Sequence, residues 1–97
     1  MPYTVFATIT VKPEHIDAAC AAVAEIVPAT RGEAGCVAFE PRRAVDGSAR
    51  IFIFEEWTDR AAFDFHHSQD YTKNVFAKYE GWLQQAPELV EVKPLEG

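Results

Sequence analysis

Two adjacent histidines, His66 and His67, are the side chains in this 97-residue chain best suited to move a proton. Imidazole titrates near pH ~6.5, which makes it a natural general base close to neutrality. Neighbours on a helix point about 100° apart, so His67 is expected at a pocket rim or in solvent if His66 faces inward. The pair is a weak metal signal, because adjacent helical residues share one ion poorly and Asp70 is the carboxylate at helical spacing. No metal is expected. Trp57 and Glu55 lie two apart on a strand and share a face with Ile53 and Ile51. Trp57 can stack on a flat aromatic molecule and offer its indole N–H to an oxygen, or it can anchor the core at the strand end. Glu55 can orient a histidine or a backbone amine, or it can make a structural ion pair, with Arg31 a ready partner; the structural role is favoured. Tyr71 and Tyr79 are the phenols of the helical side. Phe63, Phe65, Phe76 and Trp82 recur at helical spacing. Such residues are core first, and some would line a pocket between helices and sheet.

The elements that must position these groups follow from hydrophobic period. Tyr3 to Lys12 alternates, with Tyr3, Val5, Ala7, Ile9 and Val11 on one face. Pro13 stops that strand and opens a helix, with Glu14 and Asp17 in the first turn. Ile16, Ala19, Cys20, Val23, Ile26 and Val27 then give an apolar helical stripe. Pro28 is expected to kink or close it. A second strand runs from Cys36 to about Val45, and Pro41 marks it as an edge or a bulge. Asp46-Gly47 is a hairpin turn. The third strand, Arg50 to Trp57, is apolar on both faces: Ile51 and Ile53 on one, Phe52 and Phe54 on the other. Asp59 caps a short helix. Ser68-Gln69-Asp70 breaks it. A second helical stripe carries Val75, Phe76, Tyr79, Trp82 and Leu83 until Pro87 ends it. Leu89 to Lys93 is the last strand.

The order βαββαβ predicts an α+β, ferredoxin-like fold over residues 1–97 as a single domain: an antiparallel sheet with helices on one face. The doubly apolar third strand requires a cover on the other face as well. No chain is left to supply it, so a second copy of the same sheet is expected, giving a homodimer.

Composition narrows the function. Fifteen acidic against nine basic residues leave a net charge of −6. Nucleic acid and anionic membranes are poor partners for such a surface. No apolar run has the ~18 residues of a membrane span, and the first residues lack the positive stretch of a secretory signal. Two cysteines, Cys20 and Cys36, make no disulfide framework. A reduced, cytoplasmic chain is expected.

Several segments resemble the antibiotic biosynthesis monooxygenase family. Thr30-Arg31-Gly32-Glu33-Ala34-Gly35-Cys36 is similar to its TR-x-E-x-G-C segment. Glu55-Glu56-Trp57-Thr58-Asp59 is similar to E-x-W-x-D, and Ala61-Ala62-Phe63-Asp64-Phe65-His66 to A-A-(apolar)-x-x-H. Val11-Lys12-Pro13 and Val92-Lys93-Pro94-Leu95 fit as well. The resemblance implies a dimeric α+β barrel, with a pocket in each subunit between sheet and helices. It implies oxidation of hydroquinones or polycyclic phenols by O2, with no metal, flavin or other cofactor. Other members degrade haem, process small signalling ketones, or have no established activity.

Cofactor-free oxygenation needs an electron-rich phenol, a base, a dry pocket and a donor for the developing oxyanion. His66, at the family's histidine position, is the expected base, with Trp57 as its catalytic companion. Its structural alternative is an N–H donor to a backbone carbonyl. Glu55, Phe63, His67, Tyr71 and Phe76 are the expected substrate contacts. Two branches fit poorly. The haem branch has an Asn on the first strand and a His where this chain has Phe76, and no Asn precedes Asn74 here. The polycyclic branch has an Asn where this chain has Ile53. A second histidine of some members is replaced by Tyr71. What remains is a quinol-oxidase-like enzyme acting on a small hydroquinone-like aromatic. The competing readings are a non-catalytic small-molecule-binding or stress-associated dimer, and an isomerase of small carbonyl compounds. A void under about 300 Å3 near His66 and Trp57 argues for the non-catalytic reading.

Overall fold

A computed structural model describes residues 2–96; Met1 and Gly97, the ends of the expected domain, lie outside them. Strands β1 (Tyr3–Thr10), β2 (Cys36–Arg43), β3 (Arg50–Trp57) and β4 (Glu88–Val92) form one antiparallel sheet in the order β2-β3-β1-β4. Helices α1 (Ile16–Arg31), α2 (Arg60–Ser68) and α3 (Asp70–Tyr79) complete the α+β, ferredoxin-like arrangement.

Alternation decides which residues face the helices. Val5, Ala7 and Ile9 of β1 and Ile51, Ile53 and Trp57 of β3 are buried against Ala19 and Val23 of α1, Phe63 of α2, and Val75 and Tyr79 of α3. The opposite face carries Phe6, Phe54, Val90 and Val92, all exposed, with Phe52 beside them. In register, Phe6 opposes Phe54 on one side and Val90 on the other. This apolar face is the one the doubly apolar third strand predicted.

Boundaries differ from expectation in three informative places. Pro13 opens a short 3-10 turn (Pro13–His15) before α1 begins. Pro28 does not close the helix, which continues to Arg31. The missing N–H falls where Ala24 and Pro28 are both exposed, so water can satisfy the freed carbonyl of Ala24. The last helix stops at Tyr79 instead of running to Leu83 and Pro87. Residues beyond Gly81 pair with the end of β1: Lys12 N–H donates to Trp82 O at 2.8 Å, Gln84 N–H to Thr10 O at 3.0 Å, and Val11 bridges Leu83. Tertiary pairing takes backbone groups that a further helical turn would have used. Pro41 does sit on an edge strand, and the ladder irregularity lies between Cys36 and Ala38.

Candidate functional site: a buried histidine bonded to a carboxyl group

The site begins with a tight loop. Gly32 to Gly35 connects α1 to β2, closed by Glu33 N–H to Thr30 O at 3.1 Å and Cys36 N–H to Glu33 O at 3.0 Å. Thr58 N–H donates to Gly35 O at 2.9 Å and ties the loop to the end of β3. Gly35 is required by close approach, because a Cβ there would collide with the Cβ of Ala62. The loop is thereby pressed against α2. That helix starts where Asp59 accepts from Ala62 N–H at 2.9 Å, a side-chain N-cap. Phe63 and His66, one turn apart, are its buried residues.

This junction brings His66 and Glu33 together across 33 residues of sequence. His66 Nδ1 lies 2.9 Å from Glu33 Oε2, and both side chains are about 95% buried (4% and 5% exposed). The Tyr71 hydroxyl donates to the same Glu33 oxygen. A carboxylate only accepts, so with a proton on Nδ1 donated to it, a neutral ring presents its lone pair at Nε2. Nε2 has no hydrogen-bond partner among the described residues. The ring is held by aromatic neighbours: Trp57 with centroids 4.9 Å apart and an interplanar angle of 31°, and Phe39 at 5.5 Å.

A cavity of about 50 Å3 lies between sheet and helices beside His66. Ala7, Ile9, Ile53 and Phe39 line it from the sheet, and Val23, Val75 and Tyr79 from the helices. Its polar lining includes Glu55, His66, His67 and Thr72. Phe76, Pro87 and Leu89 also line it, and Phe76 and Leu89 are 40% and 47% exposed, so this is its rim. The volume admits water-sized molecules, whereas an engineered cavity that takes benzene has about 150 Å3.

Glu55 is 5% exposed. Its Oε1 accepts from the Trp57 indole N–H at 3.2 Å. Burial pushes its carboxyl up to about 7; the indole bond works against the rise and nearby Glu33 adds to it. Burial pulls the His67 imidazole below its usual value, helped by neighbouring His66, which favours the neutral ring. The Tyr71 phenol is pushed up by burial and by its bond to Glu33.

The seven expected site residues therefore separate. Glu55, His66, His67 and Phe76 line the cavity. Trp57 does not: it is 0% exposed, its N–H is spent on Glu55, and it is a core anchor that also holds the His66 ring. Phe63 packs beneath Tyr3 and His67, with Arg60 over its face, outside the cavity lining. Tyr71 acts on Glu33 rather than on the cavity. Arg31 is not the partner of Glu55; its Nε donates to Phe39 O at 3.0 Å. Phe65, expected in the core, is 54% exposed. His66 donates to a carboxyl group, where a backbone carbonyl was the structural alternative. Glu33 was missed as a functional residue. Its signal was the acidic position of the Thr30–Cys36 segment, which was read only as a mark of kinship. Among the described residues, no group of three or more His, Cys, Asp or Glu could hold a metal ion.

The fold and this histidine–carboxyl pair define an α+β domain with a buried polar pair between helices and sheet. The model of the antibiotic biosynthesis monooxygenase family matches residues 2–78, and the chain belongs to that family. Solved structures agree. Rv0793 from Mycobacterium tuberculosis superposes with a TM-score of 0.90 at 25% identity, covering 100% of this chain and 98% of that one. PA3566 from Pseudomonas aeruginosa gives 0.89 at 28% identity over 97% and 94%. A structure described as an antibiotic biosynthesis monooxygenase gives 0.88 at 27% identity over 98% and 99%. Among curated proteins, the uncharacterised sll1783 of Synechocystis is 26% identical over 95 residues, 98% of this chain. The chain spans 59% of that relative's length. No helix among the described residues is long and apolar enough to cross a membrane.

Proposed function

We propose that the protein is a cofactor-independent monooxygenase that oxidises a small hydroquinone-like or phenolic aromatic with O2. The observation that carries this reading is the His66–Glu33 pair, 2.9 Å apart and buried at the edge of an apolar cavity. In it, His66 Nε2 takes the proton of a substrate hydroxyl. Glu33 holds the ring and steadies the imidazolium that forms. The electron-rich phenolate is then the reductant of O2. Family membership and the resemblance to a structure described as a monooxygenase support the reaction class. The cavity at rest is smaller than an aromatic ring, so the substrate enters by displacing the rim at Phe76, Pro87 and Leu89.

The same 50 Å3 volume, well under the ~300 Å3 of common ligand sites, favours a second reading: a dimer that binds small molecules without turnover. An isomerase of small carbonyl compounds would use the same base without oxygen. Oxygen-electrode traces with reduced benzoquinones, run beside anaerobic incubations, separate the three. Uptake that depends on protein and on His66 supports oxygenation. Anaerobic turnover selects the isomerase. Ligand-induced stabilisation with no turnover selects the binding dimer. In each case, two chains pair through the face bearing Phe6, Phe54, Val90 and Val92. The expected solution mass is twice that of the chain, and Phe54→Glu, which puts a charge in that face, is expected to give monomers.

A further inference from the structure

We propose that Glu55 is the neutral hydrogen-bond donor of the cavity, anchoring the oxygen anion of a phenolate or enolate ligand. This rests on reading His66 as the base. In the step, the ligand O–H bond breaks, its proton passes to His66 Nε2, and the electron pair stays on oxygen. That oxygen then accepts from the Glu55 carboxyl O–H, which keeps its own proton.

Three observations converge on this assignment. Glu55 and His66 line the same apolar cavity. The Trp57 indole N–H donates to Oε1, so Oε1 is the acceptor end and Oε2 is left to carry a proton. Oε2 has no protein hydrogen-bond partner among the described residues, and Glu55 is one of the residues that line the cavity. The groups facing Glu55 are Trp57 on its own strand, Glu33 from the α1–β2 loop, His66 of α2, Tyr79 of α3 and Cys36 of β2. None is a permanent cation, so the indole bond is the one nearby influence that favours an ionised Glu55. Burial outweighs it and pushes the carboxyl up to about 7. A buried carboxylic acid, protonated below that value, is a strong donor to an oxyanion.

The test uses 4-nitrophenol, whose absorbance reports its ionisation, and the full chain in wild-type and variant forms. Wild type is expected to bind it as the phenolate. Affinity should fall by about tenfold between pH ~6 and pH ~8.5, while free phenolate becomes more abundant. Glu55→Gln keeps a neutral donor at every pH, so it should retain binding and lose affinity less steeply than wild type as pH rises. Glu55→Leu should lose about tenfold at pH ~6 while still melting cooperatively. Absence of probe binding to wild type overturns the proposal. So does binding that strengthens above pH ~7, or a loss in Glu55→Gln as large as in Glu55→Leu. A ligand-free readout guards against misfolded variants. The infrared carbonyl band of a neutral carboxylic acid should appear in wild type minus Glu55→Gln at pH ~6, and its absence overturns the assignment. Oxygen uptake is followed in parallel. Glu55-dependent phenolate binding without uptake leaves the anchor standing and removes the oxygenase reading; uptake indifferent to Glu55 does the reverse.

Discussion

Glu33 and Glu55 are the same residue type and both side chains are buried, yet their surroundings differ in kind. Glu33 sits on a loop and receives two donors on one oxygen, the His66 ring and the Tyr71 hydroxyl. Glu55 sits on a central strand and receives one, the Trp57 indole. A carboxyl with two donors is a fixed acceptor that can orient an imidazole. A carboxyl with one weak donor and a negative neighbour keeps its proton and becomes a donor itself. Environment assigns the two roles, and each assignment can be broken separately.

The largest effect falls on the group between them. His66→Ala removes the base, and the oxidation rate is expected to drop about 10²–10⁴-fold. Circular dichroism and melting check that the domain still folds. A rate within about threefold of wild type would place the proton transfer elsewhere.

The second test isolates Glu55 by linkage. Its folded value of about 7 lies above the ordinary 4.5, so the native state holds a proton that the unfolded chain has released across that window. Stability is therefore fully present below pH 4.5 on this account and declines as pH rises towards 7, by about 3 kcal/mol in all. Glu55→Gln should flatten the decline. Urea melts at a series of pH values measure it, and identical slopes in wild type and variant would remove the distinction between the two glutamates.

The third test turns to Glu33. Glu33→Gln leaves volume unchanged but replaces an acceptor shared by two donors with an amide. His66 then loses its fixed tautomer, and the rate is expected to fall about 10²-fold. The contrast with position 55 is the point of the experiment: amide replacement should disable one glutamate and spare phenolate binding at the other. Equal losses would mean that both act only as packing.

How far this arrangement was legible in the sequence depends on which forces fixed each part. Strand β3 announced its two apolar faces through Ile51, Phe52, Ile53 and Phe54, because period-2 patterning is written directly into residue order. Asp59 as a cap and Asp46-Gly47 as a turn were local chemistry and equally readable; Gly47 takes a φ of 87°, where glycine is favoured. The end of α3 was not readable, since Trp82 and Gln84 leave the helical path to pair with Lys12 and Thr10, a bond between distant segments. The candidate site failed in the same way. His66 and Glu55 were legible as residue types on known faces. Glu33 lies in a loop without periodicity, and its role exists only because Gly35 lets Ala62 approach. The proposed Glu55–Arg31 pair failed because opposite charges in a sequence do not say which carbonyl a guanidinium will find first.

The smallest effect separates the two donors on Glu33. Tyr71 is partly exposed, lies outside the cavity lining and bonds that carboxyl. Removing its hydroxyl leaves His66 as the remaining side-chain donor, so Tyr71→Phe is expected to cost about 1 kcal/mol of stability. If Tyr71 only braces the loop, the rate and its pH profile stay as in wild type and the melting temperature alone moves. If it helps steady the imidazolium formed at His66, the rate falls with stability. Measuring both in one variant decides whether the relay has two working members or three.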